Sequence, residues 1–186
     1  MKFLNFLIVI IFSSSSFSCK SNVEEIYSNI DGLDHGEILK GPESVEKHCL
    51  KLIYKIDTTF SDKYFEILVD KLISGPKIWR PYYFNTLSLY CGNVNDENKN
   101  LLEVSIFNYF IHNPKEYLEH IKKMNFKNSD CILQNIANYI QQYLKESNIT
   151  IISMKNVARK YCENCSNEET ETLYQYLDLA SKYQSE

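Results

Sequence analysis

Between residues 100 and 124 the chain reads LLEVSIFNYFIH, then Asn113-Pro114, then KEYLEHIKKM. Apolar residues recur there every three or four positions, which predicts two amphipathic helices meeting at a sharp corner. Pro114 suits the first position of the second helix, where its missing N–H costs nothing, and Asn113 can cap it. The same unit repeats along the chain. Val45, Cys49, Leu52, Ile53 and Ile56 predict a helix behind Pro42 and Glu43. Ser61 opens a second, with Phe65, Leu68, Val69 and Leu72 on one face and Gly75-Pro76 as its stop. Pro81 opens a third, with Phe84, Leu87 and Cys91 inward and Gly92 beyond it; Asp96 opens a fourth, carrying Leu102, Ile106, Tyr109 and Phe110. Pro114 begins the fifth (Tyr117, Leu118, Ile121), and Ser129 or Asp130 the sixth (Leu133, Ile136, Ile140, Tyr143). A seventh runs from Thr150 to Cys162 and buries Met154, Val157, Ala158 and Tyr161. The capping-box pattern Ser166-x-x-Glu169 starts an eighth, with Leu173, Tyr176, Leu177 and Ala180 inward.

Helix starts near 43, 81, 114 and 150 open successive pairs, about 33 to 38 residues apart. That spacing is similar to helical-hairpin arrays of the HEAT and tetratricopeptide kind, though the tetratricopeptide signature residues are absent. The expected fold is therefore all-α, a short α-solenoid of about eight helices over residues 42–186. A closed globular bundle is the alternative, since both architectures bury the same faces.

Residues 1–18 read differently. Lys2 is followed by an apolar run from Phe3 to Phe12, broken only by Asn5, and then by small polar residues to Ser18. The run is too short to span a bilayer, which takes about 20 apolar residues, and has the form of a signal peptide. Ser16-Phe17-Ser18-Cys19 resembles the cleavage point of bacterial lipoproteins, although leucine is usual where Ser16 stands. The resemblance implies a lipid-attachment site at Cys19, a polar tether over 19–41 and a place in the cell envelope, periplasmic or outer-membrane. Plain secretion is the alternative. The Asp31–Glu37 stretch lacks the alternate-position oxygens of a calcium loop and reads as a solvated loop.

Removing residues 1–18 from the 186 leaves 168 with a formal charge of −5, one more negative than the full chain because Lys2 is lost. Interspersed Lys and Glu give no basic stripe, which argues against nucleic acid as a partner. Fourteen Tyr and ten Phe against five Gly and four Pro favour packed helices over a loop-rich chain.

Besides Cys19 there are five cysteines, an odd number, so at least one thiol stays free or pairs between chains. Cys49, Cys91 and Cys131 read as core residues or structural bridges. Cys162-Glu163-Asn164-Cys165 straddles the last corner. It reads as a structural staple, or as a redox-active pair with Cys165 just ahead of a helix N-terminus, where a thiolate is stabilised. The setting lacks the strands of a thioredoxin-type site, and no second CxxC or paired-histidine motif offers zinc its remaining ligands. No metal or cofactor is expected. His48, His112 and His120 are scattered, with His120 on a charged face and His112 at a helix end. No hydrolase, zinc-protease or phosphate-loop motif is present.

The densest aromatic stretch is Trp79-Arg80-Pro81-Tyr82-Tyr83-Phe84. Aromatics with arginine are what binding hot spots use, so Trp79, Arg80, Tyr82 and Tyr83 are the candidate partner-binding residues, with the last three expected to be exposed. The competing role is to fill the joint between the first two hairpins. The sequence thus points to an exported, non-enzymatic helical module that binds another protein, of inhibitor or immunity type. A thiol-disulfide or metal-handling protein using Cys162 and Cys165 is the alternative.

Overall fold

The computed structural model describes residues 33–146 and 149–182. They form nine α-helices: α1 His35–Lys40, α2 Val45–Ile53, α3 Asp62–Ser74, α4 Arg80–Tyr90, α5 Asp96–His112, α6 Pro114–Ile121, α7 Phe126–Glu146, α8 Ile151–Tyr161 and α9 Asn167–Lys182. Short 3-10 turns, Lys77–Trp79 and Cys91–Asn93, flank α4, and no strand occurs among the described residues. The fold is all-α, as expected. Among those residues no helix is long and apolar enough to cross a membrane.

Local chemistry sets most boundaries. Ser44 caps α2 by accepting the Lys47 N–H at 3.2 Å. The predicted capping box at α9 forms: the Ser166 N–H donates to Glu169 Oε2 at 2.7 Å, and the Glu169 N–H to Ser166 Oγ at 3.1 Å. A second box, Thr150 with Ser153, starts α8. Gly75 ends α3 where a Cβ would collide with the Lys71 carbonyl and come within 3.1 Å of the Tyr83 ring.

Four expectations are corrected here. Asn113 does not cap α6 with its side chain, because its Oδ1 accepts from Arg80 Nη1 at 3.1 Å. α7 starts at Phe126, a turn before Ser129, since Asn125 Oδ1 accepts the Asn128 N–H at 2.9 Å. The end of the expected polar tether, where Asp31–Glu37 reads as a solvated loop, is taken up by α1, capped by Asp34. Ile56 is 62% exposed, because α2 stops at Ile53.

That stop is informative. Lys55 has φ 57°, Ile56 N donates to the Lys51 carbonyl at 2.8 Å and Lys55 N to that of Leu52 at 3.0 Å. This is a Schellman ending with lysine where glycine usually sits. A side chain in the left-handed region costs about 1 kcal/mol or more. Lys55→Gly is expected to stabilise the chain by roughly 0.5–1 kcal/mol, net of the extra freedom glycine has when unfolded. A urea midpoint that does not rise would contradict it.

The most extensive packing is between helices two apart: α5 with α7, α3 with α5, α7 with α9, and α2 with α4. Two helices lie deepest. In α4 every residue from Tyr82 to Ser88 is buried, and in α5 burial covers Leu102, Glu103, Ser105–Phe107 and Tyr109–Ile111. A helix buried around most of its circumference belongs at the centre of a domain. The core joins Leu50, Leu68, Leu72, Phe84, Leu87, Ile106, Phe110, Ile140, Leu173 and Leu177 in one cluster.

Candidate functional site

The aromatic stretch lies inside this centre. Tyr82 and Tyr83 are 0% exposed and Trp79 is 9% exposed, so the expected exposure of Tyr82 and Tyr83 does not occur. Packing of α2, α3, α6 and α7 around α4 accounts for it. The stretch fills the joint between hairpins instead. His35 on α1 bonds the Tyr54 and Tyr82 hydroxyls through its two ring nitrogens. Tyr83 donates to Glu46 Oε1 at 2.7 Å, and Lys71 Nζ donates to the same oxygen at 2.7 Å. Burial alone would raise the Glu46 carboxyl, but these two donors outweigh it and hold it below the usual carboxylate range. Burial and the Glu46 charge push the Tyr83 phenol far up.

Arg80 is also turned inward. Its Nη1 donates to Asn113 Oδ1 and, at 3.2 Å, to the Glu116 carboxylate, while Nη2 reaches the Ile73 carbonyl at 3.3 Å. Glu116 also accepts from the Tyr109 hydroxyl at 3.4 Å, and Tyr109 meets His120 Nδ1 at 2.9 Å. His120 is therefore half-buried against Tyr109 and Phe84, not on a charged face. Burial lowers its pKa to about 4, with Glu116 opposing and Lys123 adding to the fall. The Arg80–Glu116–Tyr109–His120 cluster was missed from the sequence. Its one signal is the Glu116/His120 pair at i,i+4, which looks like an ordinary surface pair.

Among the described residues the cysteines resolve into two bridges, Cys91–Cys131 and Cys162–Cys165, with Cys49 a buried free thiol. Burial pushes Cys49 up to about 12, so it packs as a small hydrophobe. In the CxxC pair Cys162 is buried at the C-terminal end of α8, whereas Cys165 is half-buried just ahead of α9. A thiolate attacking the more accessible Cys165 would expel Cys162, a buried sulfur at the end of a helix whose dipole opposes a negative charge. The geometry therefore works against exchange and suits a staple. Among the described residues no group of three or more His, Cys, Asp or Glu is placed to hold a metal. Cys19 and the signal-peptide stretch lie outside the described residues.

Two surface features remain. Where α5, α7 and α8 meet, a half-open cavity of about 360 Å³ is lined by Phe107, Ile111, Tyr143, Ile149, Met154 and Val157. Tyr143 and Val157, expected in the core, instead form its walls and are 36% and 40% exposed. His112 lines both this cavity and a smaller polar recess of about 240 Å³ that reaches Cys165, and its ring meets Tyr161 edge-on at 4.6 Å. The second feature is the exposed apolar surface of the last hairpin. Of the seven exposed large hydrophobic residues among the described ones, four lie on α8 and α9: Ile152, Val157, Tyr161 and Leu179.

Comparison with family models, with curated proteins and with solved structures finds no match for the chain.

Proposed function

We propose that the chain is an exported, non-enzymatic helical module, lipid-anchored through Cys19, that binds another protein at its C-terminal hairpin. The observation that carries the reading is the exposure of Ile152 (72%) and Leu179 (67%) on the last two helices. The Lys155–Asp178 ion pair, 2.7 Å, ties α8 to α9; Ile152 lies one turn from Lys155 on α8, and Leu179 follows Asp178 on α9. The end of a helical stack that only meets water carries a polar outer face, and these residues depart from that. The dominance of packing between helices two apart supports a short stack of hairpins over a closed bundle. In such a stack the burial of α4 and α5 leaves no open concave face at the middle, which moves recognition to the terminal pair.

The test places a photo-crosslinking amino acid at Ile152 or Leu179, with Ile56 as the control, in the native cell envelope. A single protein should be captured from the first two positions and not from the third. The purified complex should then lose at least tenfold in affinity on the double change Ile152→Asp, Leu179→Asp, with the helical circular dichroism unchanged. Capture that does not depend on position, or affinity indifferent to the double change, would refute the reading.

A further inference from the structure

From the cavity between α5, α7 and α8 we infer that the protein binds a single unbranched hydrocarbon chain, with the polar head of that ligand left in water. The inference is independent of protein binding at the C-terminal hairpin. The cavity's volume, about 360 Å³, is that of a small-ligand site. Its walls are aromatic on one side, where Phe107 and Tyr143 are backed by Tyr139 at 4.8 and 5.0 Å, and aliphatic on the others, with Ile111, Ile149 and Val157. Met154, unbranched and polarisable, adapts to a flexible chain.

The chemical class follows from walls that are almost wholly apolar and whose few polar groups are mostly engaged within the protein. Ser153 Oγ donates to the Thr150 carbonyl at 2.7 Å and accepts the Thr150 N–H at 3.1 Å, which consumes it in the helix cap. Tyr143 is hydrogen-bonded with Tyr139. His112 turns Nδ1 to the Asn108 carbonyl at 3.0 Å and is itself exposed, at the mouth. A polar ligand would surrender its hydration to walls that are almost wholly apolar, whereas a hydrocarbon surrenders nothing. Apolar walls of this kind favour apolar guests. The cavity is open on one side, so a chain can enter while its head stays outside. Recognition of this type reads chain length and is blind to the head group, since each buried methylene adds a similar increment.

The experiment uses the full exported chain with its bridges intact. Calorimetric titration with dodecanoate, dodecanol and hexanoate should give saturable binding of one molecule per chain for the two long ligands. Their affinities should agree within about threefold, and hexanoate should bind at least tenfold more weakly. Val157→Trp, on the half-exposed face of α8, should fill the cavity and weaken dodecanoate at least tenfold. A diazirine-bearing fatty acid should label the native chain within residues 107–112 or 149–157, a readout that needs no variant to fold. The inference is overturned if dodecanoate and dodecanol fail to saturate, if head group rather than length sets affinity, if the label falls elsewhere, or if a folded Val157→Trp binds as well as the native chain.

Discussion

Replacing Cys91 and Cys131 together by alanine is expected to lower the unfolding free energy by about 4 kcal/mol, twice the loss of about 2 kcal/mol from removing Cys162 and Cys165. The difference comes from the unfolded chain. One bridge closes residues separated by 40 positions and the other residues separated by 3. The entropy that a cross-link withholds from the unfolded ensemble grows with the logarithm of the loop it closes. Folded-state contacts add to the contrast. Cys91 sits in the turn that ends α4 and Cys131 on α7, so the longer bridge pins two helices that are far apart in sequence. Asn135 Nδ2 donates to Cys91 Sγ at 3.1 Å and to the Cys131 carbonyl at 2.8 Å, so the bridge also anchors a buried amide. The ends of the shorter bridge are already held by a turn in which the Cys165 N–H reaches the Cys162 carbonyl at 3.0 Å. Urea unfolding followed by circular dichroism decides between them. For a domain of this size the longer bridge should be worth roughly 10 °C in Tm. Equal losses, or no loss from the Cys91/Cys131 pair, would mean that the two bridges are not closed as described.

The helices were legible because their apolar spacing, their prolines and their caps agree with one another, as at Pro114 and Ser166. What periodicity could not show was depth. Trp79, Arg80, Tyr82 and Tyr83 have the composition of a binding hot spot and of an aromatic core alike. The choice between those roles is made by α2, α3, α6 and α7, which no reading of α4 alone contains. One signal was there to be used: from Tyr82 to Ser88 the chain has no charged residue on any face, and a helix without a charged face is a buried helix. Ile56 failed for a different reason. Its spacing continues the α2 stripe, but the left-handed turn at Lys55, a residue with no special preference for it, takes the chain away first. Cysteine pairing depends on topology, so the count could announce a free thiol without saying that Cys49 is it. The cavity was beyond reach altogether, since it is the space left where three helices fail to interdigitate. Val157 and Tyr143 were read as core residues, and as the walls of that space they are half of what was expected.

His120 makes the protein sensitive to mild acid, and the sign follows from its surroundings. Burial against Phe84 and Tyr109 disfavours the imidazolium, so the folded chain holds the ring neutral down to about pH 4, whereas in the unfolded chain it takes up a proton near 6.5. Between those two values the unfolded state binds more protons than the folded one, so stability rises with pH across the window and is lost as pH falls through it. Above about 6.5 there is no penalty; below about 4 the penalty is complete. The full interval corresponds to about 3 kcal/mol, and at pH 4.5, with one edge of the ring reaching solvent, about 2 kcal/mol is expected. Other groups titrate in the same range. His35 is lowered by its own burial, with Asp34 opposing, and Glu46 gives up its contribution only as pH falls through its depressed value. Both remain in a His120→Gln chain, so comparison with that variant cancels them. Denaturant unfolding at pH 7 and pH 4.5 should show the native chain losing about 2 kcal/mol more than His120→Gln over the interval. The carboxamide keeps a polar atom for the Tyr109 hydroxyl but cannot take a proton there. If both chains lost stability in parallel, the acid response would belong to the carboxylates, and Tyr109 and Phe84 would not be shielding His120 as the geometry requires.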